Sequence, residues 1–178
     1  MANGNFMDTD PALILLSGLP GAGKTTFAER LKAVIAFCHI ESDAIRLAIA
    51  PEPTFTFEES GRVFARVEAE ARAALQSGRH ALIDATNLTR RDRKRFLRLV
   101  QTLGVRLVAV RVVAPEATIR ERLSAPRTGN SKAGWQVYER MSNRPQPFDC
   151  PTVVVDTRFD TTPAVALVRA LAVNQVDG

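Results

Sequence analysis

A chain of 178 residues, 46% hydrophobic and 24% charged, has the size and composition of one globular domain with a substantial core. No apolar run reaches the length of a transmembrane helix, the polar segment Met1 to Asp10 is no secretion signal, and Cys38 and Cys150 have neither metal nor redox spacing. These features argue against a membrane-spanning protein, a disulfide scaffold and a zinc module, and predict a cytoplasmic protein with no membrane partner. The net charge of +5 is uneven: Arg79 to Arg144 holds fifteen Lys and Arg against five Asp and Glu, as a phosphate-rich ligand or a set of solvated helix faces would produce.

Residues 1–10 read as a flexible N-terminal arm and 11–178 as a single domain. Ala12 to Ser17 is a buried strand. Lys24 to Ala36 is a helix with Phe27, Leu31, Val34 and Ile35 on one face. Phe37 to Glu41 is a second strand, followed by a short helix opened by Ser42-Asp43 and halted by Pro51 and Pro53. A long helix runs from about Glu58 to Ser77, with Gly78 as its cap. His80 to Asp84 is a third strand. Thr89 and Asp92 have capping-box spacing for a helix that ends at Gly104. Val105 to Val113 is a fourth strand, Pro115 starts a helix through Leu123, and the Pro/Gly-rich Ser124 to Gly134 is a loop. Trp135 to Ser142 is helical, Thr152 to Asp156 is a fifth strand, and Thr162-Pro163 opens a last helix to about Val173. Mostly apolar strands alternating with helices predict an α/β fold in three layers, with about five mostly parallel strands and helices on both faces.

Gly18-Leu19-Pro20-Gly21-Ala22-Gly23-Lys24-Thr25 fits G-x-x-x-x-G-K-[ST] between the first strand and first helix. Such a loop turns its backbone N–H groups and the helix N-terminus onto phosphate oxygens. Lys24 is expected to reach the β- and γ-phosphates and the Thr25 hydroxyl to meet Mg²⁺, with Thr26 completing the nucleotide-binding set. ATP with Mg²⁺ is therefore the expected cofactor pair, and the chain has no Asn-Lys-x-Asp reader of guanine.

Ligands of such sheets lie beyond the carboxyl ends of the strands, which gathers the loop, Asp43, Asp84 and Asn87 at one edge. Asp43 and Arg46, three apart on a helix, suit a base for an acceptor hydroxyl and a grip on an acceptor anion; helix capping is the plainer use of Ser42 and Asp43. Asp84 stands where a Mg²⁺-facing acid belongs, and Thr86 and Asn87 could bond acceptor or phosphate oxygens or form an Asx-type turn. Arg120, Arg122 and Arg127 flank the flexible loop; Arg127 and then Arg122 are the candidates for a lid arginine that neutralises transferring charge, the lid lying around 115–144. The run Arg90 to Arg95 opposes its own helix dipole and holds no aromatic, which favours a solvated face over a nucleic-acid surface. Trp135 and Tyr138 could stack a base or pack inward, and His39 and His80 read as structural.

Taken together, Gly18 to Thr25, Ser42-Asp43-Ala44-Ile45-Arg46, Asp84-Ala85-Thr86-Asn87 and the Arg-bearing loop resemble the P-loop kinases of the polynucleotide kinase and zeta toxin-like superfamily, over roughly Ala12 to Arg144. The resemblance implies Asp43 as general base, Arg46 as a clamp on an acceptor phosphate, Asp84 at the acceptor edge and a lid arginine near Arg127. It implies an ATP-dependent phosphotransferase acting on a hydroxyl, either the 5′-OH of a polynucleotide or a small molecule such as a metabolite, antibiotic or nucleotide-sugar. A regulatory module with weak ATPase activity is the reading from another class.

Overall fold

The computed structural model describes residues 10–125 and 134–173, and everything structural below refers to those. In chain order they form β1 (Ala12–Ser17), α1 (Lys24–Lys32), β2 (Cys38–Glu41), α2 (Ser42–Ile49), α3 (Phe57–Gln76), β3 (Ala81–Asp84), α4 (Arg90–Leu103), β4 (Arg106–Val113), α5 (Glu116–Ser124), α6 (Trp135–Met141), β5 (Thr152–Asp156) and α7 (Thr162–Val173). The strands make one sheet in the order β2-β3-β1-β4-β5, and every neighbouring pair is parallel. This is the α/β layered architecture that the alternation of elements predicts.

Side chains of a strand point to opposite faces in turn, and β1 uses both. Ala12, Ile14 and Leu16 pack with Phe27, Ala28 and Leu31 of α1 and Val165, Val168 and Ala172 of α7. Leu13 and Leu15 pack on the other side with Val63, Val67 and Ala71 of α3 and Phe96 and Leu99 of α4. Five consecutive apolar residues buried on two faces explain why β1 carries no amphipathic alternation. Each fully buried aliphatic of this kind contributes about 1.5–3 kcal/mol.

Several local signals have the expected outcome. Thr89 Oγ1 accepts from the Asp92 amide and Asp92 accepts from the Thr89 amide, closing the capping box of α4. Gly78 and Gly104 both take positive φ just past their helices. The first helix is shorter than its apolar pattern. After Lys32 the amides of Ala33 and Val34 bond three residues back rather than four, which tightens the turn and swings Val34 out to 46% exposure while Ile35 stays buried. Among the described residues no helix is long and apolar enough to cross a membrane.

Strand register sets the site. Glu41 lies beside Asp84 and Leu15 beside Ile83, so β1, β2 and β3 release their chains at the same edge. The phosphate-loop motif, Asp43 and the 84–87 segment leave from that edge.

Candidate active site

The loop after β1 needs glycine for two different reasons. At Gly18 a Cβ would lie 2.5 Å from the Val112 carbonyl oxygen, so the backbone runs against β4 with no room for a side chain. Gly23 has φ 98, a left-handed conformation that frees the chain to enter α1 directly. Lys24 opens α1, and its Nζ donates to the carbonyls of Gly18 (3.0 Å) and Leu19 (3.2 Å). Burial pulls the Lys24 ammonium below its ordinary value, opposed by the charges of Asp84 and Asp43. Both predicted acids therefore act on the predicted lysine.

Thr25 Oγ1 donates to Asp84 Oδ2 at 2.7 Å. Burial works to raise the Asp84 carboxyl, but the neighbouring His39 imidazole, the Lys24 charge and the Thr25 hydroxyl outweigh it and hold the acid below the usual carboxylate range. A hydroxyl and a kept carboxylate side by side at the loop are hard oxygen donors, and Mg²⁺ is bound through one or two carboxylates together with substrate phosphates rather than by an all-protein cage. The residues fit Mg²⁺, and among the described residues no group of three or more His, Cys, Asp and Glu is arranged to hold a metal by itself.

Three bonds stitch the 84–87 segment to the phosphate loop. The Gly18 amide donates to the Thr86 carbonyl (3.0 Å), Ser17 Oγ donates to the Asn87 carbonyl (3.0 Å), and Asn87 Nδ2 donates to the Leu16 carbonyl (2.8 Å). Asn87 is fully buried with φ 43. Its Nδ2 holds the exit of β1, while half-buried Thr86 stands at the edge. Asn87 tolerates the left-handed turn better than most side chains.

Asp43 lies half-buried in the first turn of α2. Arg46, one turn on, is buried and ion-paired to Glu59 of α3, with Ser60 Oγ 3.5 Å from its Nη2. Glu59 also accepts from the Thr54 amide (2.7 Å) and hydroxyl (2.8 Å). The Thr54 amide, followed by Arg46 and the Thr54 hydroxyl, outweighs desolvation and holds the Glu59 carboxyl down to about 2. Arg46 is thus not a free clamp: its guanidinium is neutralised within the protein, and an acceptor phosphate would have to share it.

Arg122 of α5 reaches the outside of the phosphate loop. Its Nη1 donates to Thr157 Oγ1 (2.8 Å) and lies 3.3 and 3.4 Å from the carbonyls of Gly21 and Ala22. Arg127 lies outside the described residues, as does the middle of the expected lid. Arg120 stacks over Trp135 at 3.9 Å, and Trp135 stacks on Tyr138 with centroids 4.6 Å apart, so these rings tie α5 to α6.

The basic run of α4 divides. Arg93 is 1% exposed and donates to the carbonyls of Asn87, Leu88 and Pro147. Arg90 is paired to Asp149, and its own amide is met by Gln146. These partners answer the conflict between cations and the helix dipole without any ligand.

Sequence reasoning missed Glu59, Arg93, Thr157 and the setting of His39. Thr56-x-x-Glu59 is a capping-box spacing that points to the first. Arg93 and Thr157 carry no local signal: Arg93 meets backbone carbonyls, which no residue type marks, and one of these, like the Ala22 carbonyl that Thr157 meets, lies far along the chain, 54 and 135 residues away. His39 Nε2 is buried 3.5 Å from Asp84, and burial there is outweighed by Asp84, Glu41 and Glu29, which raise its pKa.

A phosphate loop, a Thr25–Asp84 oxygen pair and an acid at the exit of the next strand form one contiguous edge. A family model described as an AAA domain matches residues 13–148. The chain belongs to the AAA domain family. Solved structures agree in fold with this AAA domain protein. A gluconokinase from Sinorhizobium meliloti 1021 aligns with TM-score 0.67 at 19% identity, over 93% of this chain and 96% of its own. The Mycobacterium tuberculosis APS kinase CysC in complex with AMPPNP and APS aligns with TM-score 0.64 at 15% identity, over 92% and 98%. A chain of a Pnkp1/Rnl/Hen1 complex aligns with TM-score 0.59 at 22% identity, over 76% of this chain and 46% of its own. No curated protein sequence matches this chain. The AAA domain protein therefore has the fold of P-loop kinases.

Proposed function

We propose that this AAA domain protein is an ATP-dependent kinase that transfers the γ-phosphoryl group to a hydroxyl acceptor, with the 5′-hydroxyl of a polynucleotide as the favoured acceptor and a small-molecule hydroxyl as the second reading. One observation carries it: Thr25 and Asp84 are bonded at the mouth of the loop, and the register that sets Glu41 beside Asp84 brings Asp43 to the same edge. Nucleotide machinery and a base candidate thus share one edge. The 5′-hydroxyl reading draws on the Asp43-x-x-Arg46 and Asp84-x-Thr86-Asn87 spacings and on the fold likeness to the Pnkp1/Rnl/Hen1 chain.

In this reading the loop amides and Lys24 hold the β- and γ-phosphates. Thr25 and Asp84 would hold Mg²⁺, which would neutralise charge on those oxygens. Asp43 accepts a hydrogen bond from the acceptor hydroxyl and aims its oxygen at phosphorus. The new oxygen–phosphorus bond forms as the bond to the ADP oxygen breaks. The acceptor proton passes to the Asp43 carboxylate late, because the transition state is loose. Arg122 steadies the loop through Gly21 and Ala22, and Arg127 serves as the lid arginine.

The test is transfer of γ-phosphate from ATP to a 5′-hydroxyl oligonucleotide, DNA and RNA, beside a pool of small-molecule alcohols. Asp43→Asn is expected to lower transfer by about 10²–10⁴-fold, the range for loss of a positioned base, with ATP affinity retained. Equal transfer by the variant would remove Asp43 from the chemistry. ATP binding without transfer to any hydroxyl would instead favour a regulatory module.

A further inference from the structure

We infer that the loop between α2 and α3 carries a base-stacking platform, Phe55 with Phe57 and Arg91 beside it, that receives the 5′ end of a single-stranded nucleic acid and brings its hydroxyl to Asp43. This rests on the kinase reading with a polynucleotide acceptor and adds where the strand lies.

Phe55 has φ 55, a left-handed conformation that bulky side chains avoid, and it is 60% exposed. An exposed apolar ring in a disfavoured backbone conformation persists only where its surroundings impose it. Here they do. Glu59 binds the amide and hydroxyl of Thr54 on one side of Phe55, and Thr56 Oγ1 caps the Glu59 amide on the other. The same Glu59 fixes Arg46, whose guanidinium carbon stands 4.9 Å from the centre of the Phe55 ring. The cage therefore holds one ring against the helix that carries Asp43, and Asp43 and Arg46 lie three apart on one side of that helix.

A second exposed ring follows two residues on. Phe57, the first residue of α3, is 83% exposed, and the Arg91 guanidinium lies 5.8 Å from its ring. One turn along α4, Arg95 lies 5.3 Å from the ring of Phe64, which is itself partly buried against Phe96 and the core and bounds the exposed part of the surface. The basic run holds no aromatic in sequence, but the fold brings aromatics from α3 to it. Aromatic rings alternating with arginines are what a single strand binds, since every base has a π-face and every link a phosphate. Arg90 and Arg93 are committed to protein partners, so the exposed Arg91 is the phosphate contact of this stripe.

The experiment measures binding of a 3′-fluorescein, 5′-hydroxyl single-stranded octanucleotide to the full chain by anisotropy, with phosphate transfer to the same strand. Phe55→Gly removes the ring while suiting the backbone, so it is expected to leave the melting temperature within about 2 °C of wild type and ADP affinity unchanged. Strand binding is expected to fall roughly 10-fold, within the range for loss of one base–aromatic stack, and Phe55→Tyr to restore it. A strand abasic at its 5′ nucleotide is expected to lose the same factor on wild type and nothing more on Phe55→Gly. Arg91→Gln is expected to reduce the salt slope by roughly one phosphate contact. If wild type phosphorylates the strand while neither Phe55→Gly nor the abasic end changes binding, the platform is overturned and the kinase reading stands. If Phe55→Gly unfolds the protein and Phe55→Tyr binds the abasic and intact strands equally, Phe55 is structural and the platform is likewise overturned. If wild type phosphorylates only a small alcohol and does not bind the strand, the polynucleotide acceptor and its platform fall together.

Discussion

Replacing Arg93 with Met keeps the length and apolar stem of the side chain and removes its donors. Three carbonyls then lose a charged partner. Two keep another: Asn87 O still accepts from Ser17 Oγ, and Leu88 O still accepts from the Gln146 amide. Pro147 O loses its 2.6 Å bond, and the stack of Arg93 on Phe148 at 4.2 Å is lost. Pro147 is exposed, so water can meet its carbonyl; the loss is that of the charge-assisted bonds of a buried guanidinium, about 1.5–3 kcal/mol in a non-additive network, with the stack adding on the order of 1 kcal/mol. The sum is about 3 kcal/mol, and at roughly 2–4 °C per kcal/mol for a chain of this size it lowers the melting temperature by about 6–12 °C. Thermal melting followed by circular dichroism measures this. Because Asn87 ties the exit of β1, ADP affinity of the folded variant is also expected to weaken. Arg93→Lys, with one ammonium for three separated carbonyls, is expected to recover only part of the loss. A fall of less than about 2 °C for Arg93→Met would refute the view that this arginine braces the site.

Gly18→Ala is expected to abolish nucleotide binding, because its Cβ would meet the Val112 carbonyl at 2.5 Å and only backbone can yield; titration with ADP is the check. His80 Nδ1 accepts from the Ala12 amide at 3.0 Å, and burial together with Arg106 lowers its pKa in the fold. The unfolded chain then binds a proton first as pH falls below about 6.5, so this group makes stability drop on the acid side and leaves it intact above. His80→Asn, which keeps an acceptor, is expected to flatten that acid slope in urea melts at pH 5 to 7; an unchanged slope would show that His80 is not its source.

The fold was legible because its signals are local. Apolar runs mark the strands, Thr89 and Asp92 mark a helix start, and Gly78 and Gly104 mark helix ends, all within a few residues of what they control. The phosphate loop was legible for the same reason: eight contiguous residues carry it. The acceptor side was less so. Arg46 and Asn87 stand at the right places in the chain, yet their side chains turn to Glu59 and to the Leu16 carbonyl, choices made by α3 and by β1. The meeting of Phe57 with Arg91 is a property of packing between α3 and α4, and no spacing in the chain announces it.

The two halves of the site are secured by separate sets of bonds. Asn87, Ser17 and Arg93 anchor the phosphate-loop side to the middle of the sheet, whereas Glu59 gathers Thr54, Arg46 and the cap of α3 on the α2–α3 side. The 50–57 segment can therefore change length or side chains while the phosphate loop keeps its shape. One side can thus vary while the other is kept within the same fold. An engineer altering that side would have the same freedom, and would begin by regrafting the seven residues between α2 and α3.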